Sequence, residues 1–237
     1  MHARMRALVL DVEGTTTPIS FVYETLFPYA RKRLRNFVES NWDRLDEVIQ
    51  AFQKQAADDL VADHPLRPVT GRESLIHNAL AYMDQDLKIP CLKTLQGLIW
   101  EEGYRDGSLK GEVFFDVKPA FQRWSQAGLK LAIYSSGSVF AQRLLFGNSS
   151  EGDLTRYISD YFDTEVGAKR EAESYRRIAA RLGLDRDLLL FATDVVAEAE
   201  AAHEAGLEVV LLRRPGNPDP GPHPFPEARD FTTPPFP

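Results

Sequence analysis

Arg6-Ala7-Leu8-Val9-Leu10-Asp11-Val12-Glu13-Gly14 carries the first apolar run of the chain and stops it on an acid. Four consecutive apolar residues bounded by a charge and a glycine describe a short strand buried on both faces, as in the parallel sheet of an α/β protein. Thr15-Thr16-Thr17-Pro18 follows as loop. Outward from this stretch the pattern changes twice. Residues 24–110 show apolar pairs one helical turn apart: Leu34 with Val38, Val48 with Phe52, Leu75 with Ala79, Leu95 with Ile99. Such pairs among charged neighbours describe amphipathic helices. Breaks are expected at His64-Pro65, Pro68–Gly71, Pro90 and Gly103–Gly107.

Beyond Gly111, helix and strand alternate. Helices are expected over 119–127, 138–146, 171–182 and 195–205, with Gly128, Gly183 and Gly206 closing three of them. Strands are expected over 129–134, 161–162, 188–192 and 208–212. The tail from Pro215 to Pro237 is proline-rich and expected to be irregular, with Phe225 and Phe231 as anchors. The expected architecture is a Rossmann-like α/β parallel-sheet core, residues 1–17 and 112–237, with a helical cap, residues 18–111, inserted after the first strand.

The bulk composition narrows the function. The 237 residues are 43% hydrophobic and 27% charged, the balance of a globular chain with a core. A net charge of −7 argues against nucleic-acid binding, which needs clustered Lys and Arg. No signal peptide is visible, and no apolar run approaches the roughly 20 residues of a membrane span. A cytoplasmic location, no membrane partner and a monomeric state are the expectations. The single cysteine, Cys91, forms no intrachain disulfide and reads as a small buried hydrophobe. His2, His64, His77, His203 and His223 show no metal-ligand spacing. Trp42, Trp100 and Trp124 read as packing residues.

The chemistry lies at strand ends. In an open α/β sheet the ligand site sits beyond the carboxyl ends of the strands. There the chain delivers Asp11 and Glu13, Ser135 and Ser136, and Thr193 and Asp194. Asp11, Glu13 and Asp194 make an all-oxygen set suited to one magnesium ion per subunit, which would let an acidic chain accept a phosphate. Asp11 can attack phosphorus to give an aspartyl phosphate, and Glu13 can protonate the leaving oxygen and activate water. Lys169, just before a helix, is the candidate for the fixed positive charge. The Ser135 hydroxyl and the amides of the Ser136-Gly137 turn would bind the remaining phosphate oxygens. Glu198, one helical turn after Asp194, could hold a metal-bound water, but the solvated surface charge is the favoured reading.

Leu8-Val9-Leu10-Asp11-Val12-Glu13-Gly14-Thr15, with Ser135, Lys169 and Asp194, resembles the four motifs of the haloacid dehalogenase superfamily. That superfamily usually has Asp two residues after the nucleophile, where this chain has Glu13. The longer run Asp11–Ser20, with Leu26–Tyr29, Leu95–Trp100, Ile133–Ser138, Gln142–Gly147, Phe162–Thr164, Glu173–Tyr175 and Thr193–Val195, resembles the enolase-phosphatase family of methionine salvage. The match extends to Arg214-Pro215-Gly216. The resemblance implies a small phosphorylated diketone substrate, 2,3-diketo-5-methylthiopentyl-1-phosphate, which is enolised and then dephosphorylated to the acireductone. It also implies Asp11, Glu13 and Asp194 at the magnesium, and Ser135, Ser136 and Lys169 at the substrate. The base for enolisation stays open between Glu13 and a residue of the cap. The cap itself reads as a lid, with Phe21, Tyr23, Leu26 and Phe27 as its apolar suspects. The rivals are a phosphatase of another metabolite, a phosphotransferase, and a binding module that kept the fold.

Overall fold

The computed structural model describes residues 5–61, 68–232, 234 and 236; the expected break at His64-Pro65 lies outside them. The chain divides into two compact units, Met1–Val22 with Lys110–Pro237, and Tyr23–Leu109.

The first unit is built on a six-stranded, all-parallel sheet in the order β3-β2-β1-β4-β5-β6. The strands are β1 (Ala7–Leu10), β2 (Lys130–Tyr134), β3 (Asp160–Phe162), β4 (Leu189–Thr193), β5 (Glu208–Leu212) and β6 (Glu227–Ala228). Helices α5 (Val117–Gln126), α6 (Val139–Gly147), α7 (Ala172–Leu182) and α8 (Val196–Glu204) connect or flank them. β1 is central and wholly buried, which is why its sequence is unbroken apolar. Alternate residues serve opposite faces. Ala7, Val9, Ala132, Tyr134 and Phe191 join one cluster with Tyr175 and Ile178 of α7 and Ala199 and Ala202 of α8. α5 packs on β2, and its Phe121 and Trp124 meet Phe146 and Phe231 in an aromatic cluster. Each such large buried side chain contributes roughly 1.5–3 kcal/mol relative to exposure.

The tail corrects the expectation of irregular chain. Glu227 and Ala228 form β6, paired in parallel with Leu211 and Leu212 through main-chain hydrogen bonds from Leu211 to Pro226 and from Arg213 to Ala228. Phe231 is fully buried beneath Trp124, their ring centroids 5.1 Å apart.

The second unit is helical: it takes up the π-helical segment Phe21–Leu26 from Tyr23 onward, followed by α1 (Phe27–Asn41), α2 (Asp46–Val61), α3 (Arg72–Asp84) and α4 (Pro90–Asp106). Every apolar pair named above for this region is buried. Pro90 begins α4, where its missing N–H is not needed. The break expected to start at Gly103 comes later, at Gly107. Gly103 lies inside α4, and the Tyr29 ring occupies the space a Cβ there would need. The unit boundaries at Val22 and Lys110 have a local cause on the second side. Gly111 is already bonded to the core, its amide to the Asn148 carbonyl at 2.9 Å. Of the four residues suspected at the entrance, Phe21 and Leu26 are buried, Phe27 is half-buried and Tyr23 is exposed.

Candidate active site

Four adjacent strands, β3, β2, β1 and β4, bring their carboxyl ends side by side. Asp11 leaves β1 at the centre. Leu10 is paired with Ile133 on one side and Ala192 on the other, and the Asp11 amide donates to the Ala192 carbonyl at 2.9 Å. The sheet therefore fixes the Asp11 main chain before the loop begins. Its Oδ1 accepts from the Val12 amide at 2.7 Å, and its carbonyl accepts from the Thr16 hydroxyl at 3.1 Å. The amides of Thr15, Thr16 and Thr17 all turn back on the Val12 carbonyl, and the Gly14 amide donates to the Thr17 carbonyl at 2.8 Å. The three threonines are buried and form a tight turn under the nucleophile candidate.

Lys169 reaches Asp11 from the segment after β3. Its Nζ lies 2.6 Å from Asp11 Oδ1 and 2.7 Å from Glu198 Oε2, and all three side chains are buried. Burial opposes the ammonium charge, but Asp11 and then Glu198 outweigh it and raise the Lys169 pKa, so Lys169 is held as the cation. The segment carrying it is tied to α7: the Tyr175 hydroxyl donates to the Lys169 carbonyl at 2.6 Å, and the Ser174 hydroxyl to the Ala168 carbonyl at 2.7 Å.

Ser135 follows β2 and is buried, its amide bonded to the Phe162 carbonyl of β3. Its hydroxyl donates to Glu13 Oε2 at 3.4 Å and accepts from the Gly137 amide at 3.0 Å. Gln142 of α6 braces this turn, donating to the Gly137 and Phe162 carbonyls. Ser136 is half-buried in the same turn.

Asp194 follows β4. Its carboxylate lies against Gly14, in the space where any other residue would place a Cβ. Burial, then the neighbouring Asp11, push its pKa up to about 7, with Glu13 adding to the rise. Negative groups thus converge beyond what Lys169 offsets. Among the described residues, no three His, Cys, Asp or Glu side chains group closely enough to hold a metal ion by themselves. The donor set nevertheless fits magnesium, which takes one or two carboxylates and keeps waters and substrate oxygens for its other positions. The bare Gly14 edge leaves Asp194 Oδ2 room beside the Asp11 loop.

Glu198 is not the solvated charge expected. It is buried on α8, bonded to Lys169 and to the Thr193 hydroxyl at 2.9 Å. That hydroxyl also lies 3.2 Å from Asp11 Oδ2, so it can donate to either carboxylate in turn. Burial and Asp11 push the Glu198 pKa up, and the Lys169 contact opposes the rise. The helical spacing from Asp194 was the available signal. What it lacked was the lysine, which arrives from another strand.

Comparisons with known proteins give the chain's relatives. A family model described as haloacid dehalogenase-like hydrolase matches residues 5–206. A curated relative from Anopheles gambiae, named Enolase-phosphatase E1, is 48% identical over 221 residues, covering 90% of this chain and 75% of its own length. One of the same name from Drosophila erecta is 49% identical over 220 residues, covering 90% and 86%. Among solved structures, the Unknown transcript 4 protein of Saccharomyces cerevisiae is similar at 33% identity and a TM-score of 0.81, covering 97% of this chain and 99% of that one.

Proposed function

The chain belongs to the haloacid dehalogenase-like hydrolases, and within that family we propose that it is an enolase-phosphatase of methionine salvage. It converts 2,3-diketo-5-methylthiopentyl-1-phosphate to 1,2-dihydroxy-3-keto-5-methylthiopentene and phosphate. The observation that carries the phosphatase half is the buried Asp11 carboxylate 2.6 Å from the Lys169 ammonium, where four strand ends meet. The names of the relatives favour the enolisable diketone over a phosphosugar.

In the phosphatase half, an Asp11 carboxylate oxygen bonds to phosphorus as the ester P–O bond breaks. The leaving enol oxygen takes its proton from Glu13. Water then attacks the aspartyl phosphate, gives its proton back to Glu13, and releases phosphate with Asp11 restored. Lys169 holds Asp11 in orientation and offsets charge growing on the transferring oxygens. The Ser135 hydroxyl and the turn at Ser136 and Gly137 bind the phosphate oxygens. Asp11, Glu13 and Asp194 are the candidate ligands of one magnesium ion. When bound, that ion supplies charge neutralisation to the phosphate and Lewis-acid polarisation to the diketone. Enolisation needs a base, either Glu13 or a residue of the helical unit. That unit, residues 18–111 in the domain division proposed here, acts as the lid that excludes water from the enolate.

None of the described helices is long and apolar enough to cross a membrane. A cytoplasmic monomer remains part of the proposal. The decisive test follows the diketone phosphate with magnesium, reading enol absorbance and free phosphate in the same tube. Both signals should rise, and EDTA should stop them. Phosphate released only from unrelated esters would remove the substrate assignment and leave the Asp11 chemistry standing.

A further inference from the structure

Three consecutive main-chain carbonyls of the loop after Asp11 are each held by a group from outside it. The Gly14 carbonyl accepts from Asn217 Nδ2 at 2.8 Å, the Thr15 carbonyl from Arg214 Nε at 3.0 Å, and the Thr16 carbonyl from the Phe114 amide at 3.0 Å. All of these lie in the α/β unit. Arg214 is fixed in turn. Its Nη1 donates to Asp116 Oδ1 at 2.8 Å, and Asp116 Oδ2 accepts from the Phe231 amide at 2.7 Å. The guanidinium lies 4.4 Å from the Phe114 ring centroid and 4.6 Å from that of Phe231. Both members of the ion pair are essentially closed to solvent. Asn217 is linked back to Arg214, its amide donating to the Arg214 carbonyl at 3.1 Å.

We propose that Arg214 and Asn217 are positioning residues for phosphoryl transfer: by fixing the Gly14 and Thr15 carbonyls they hold the loop that presents Asp11 and Glu13. The proposal rests on Asp11 being the nucleophile. A planar fork that can bond one carbonyl and one carboxylate at a fixed angle, while stacked between rings, is a task for arginine and not for lysine. A stabilising role alone explains the arrangement poorly. Buried ion pairs are often matched or bettered by apolar packing. A buried ion pair that pins the segment directly following nucleophile and acid is accounted for by the geometry it imposes on the loop that carries them.

The test compares Asn217→Ala and Arg214→Lys with the unaltered chain, with magnesium, on the diketone phosphate and on p-nitrophenyl phosphate. Activities are expressed per folded molecule from near-ultraviolet circular dichroism, and inorganic phosphate is titrated as a competitive inhibitor. A misplacement of about 1 Å can cost about a hundredfold in rate. The expected result is kcat down roughly tenfold for Asn217→Ala and up to about a hundredfold for Arg214→Lys. KM and the phosphate inhibition constant should stay within about twofold, because ground-state binding is untouched. Asn217→Ala, which leaves the buried ion pair intact, keeps the test alive if Arg214→Lys fails to fold. Unchanged kcat per folded Asn217→Ala molecule overturns the proposal, and so does a loss carried wholly by KM and phosphate affinity. If the unaltered chain hydrolyses only p-nitrophenyl phosphate, the substrate assignment falls and that ester decides on the two positioning residues. If it hydrolyses neither, both fall.

Discussion

The two units treat charge in opposite ways. In the α/β unit the functional charges are buried and interlocked: Asp11, Lys169 and Glu198 at one place, Asp116 and Arg214 at another. In the helical unit the ion pairs among the described residues lie on the surface. Arg31–Asp84 and Arg35–Glu73 leave between 48% and 75% of each side chain exposed, while the interior is apolar around Leu34, Phe52, Leu75 and Leu95. The Tyr82 hydroxyl, which donates to Asp59 at 2.6 Å, hangs from a buried ring tilted against Phe52. Removing charge from water is expensive, and breaking one buried pair costs about 3–5 kcal/mol, whereas exposed pairs matter little. Burial also lowers the Arg214 pKa against the pull of Asp116. The difference teaches that the α/β unit accepts desolvation to hold charges in fixed places, and the helical unit has no such demand.

The largest expected effect tests that lesson at its centre. Asp11→Asn keeps the shape but removes the nucleophile, so phosphate release should fall by at least about a thousandfold. Glu198 still pairs with Lys169, and removing one of the converging anions relieves their repulsion, so the melting temperature of this variant should hold or rise. A collapse of melting temperature alongside activity would make Asp11 a structural charge and break the comparison. Glu198→Gln comes next. It retains the volume and an oxygen for Thr193 while withdrawing one of the two anions on Lys169. Turnover should drop roughly tenfold to a hundredfold as Lys169 loses its fixed position. Turnover within twofold of the unaltered chain would return Glu198 to the status of bystander.

Much of this was legible in the chain. β1, β2 and β4 announce themselves as apolar runs, and each hands over a polar residue where it stops, so Asp11, Ser135 and Asp194 could be grouped without coordinates. Lys169 was found by its place after the weak third strand. The misses share a cause: each depends on a partner remote in sequence. Glu198 is buried only because Lys169 and Thr193 come to it. Gly103 stands inside its helix as the residue that leaves room for the Tyr29 ring. β6 is two residues held by main-chain bonds to β5, and main-chain bonds leave no side-chain pattern among prolines. Arg214 stood in the sequence as the end of the matched stretch, with no role attached to it. Its role comes from Asp116 and the carbonyl of Thr15, which are brought to it by the sheet.

The smallest expected effect lies on the other side of the comparison. Arg35 Nη1 bonds Glu73 across two helices in the helical unit, and Arg35 is also 3.4 Å from Glu39 one turn along its own helix. The geometry alone suggests a strong link, and it lowers the Glu73 pKa through the hydrogen bond to Arg35. Water and salt screen the pair, however, and Glu39 remains as an alternative partner. Glu73→Gln should therefore shift the melting temperature by less than about one degree, with kcat unchanged. Any shift should vanish in about 1 M salt, where the screening length falls to about 3 Å. A loss of several degrees that persists in high salt would mean that the helical unit, too, depends on placed charge, and the contrast between the two units would not hold.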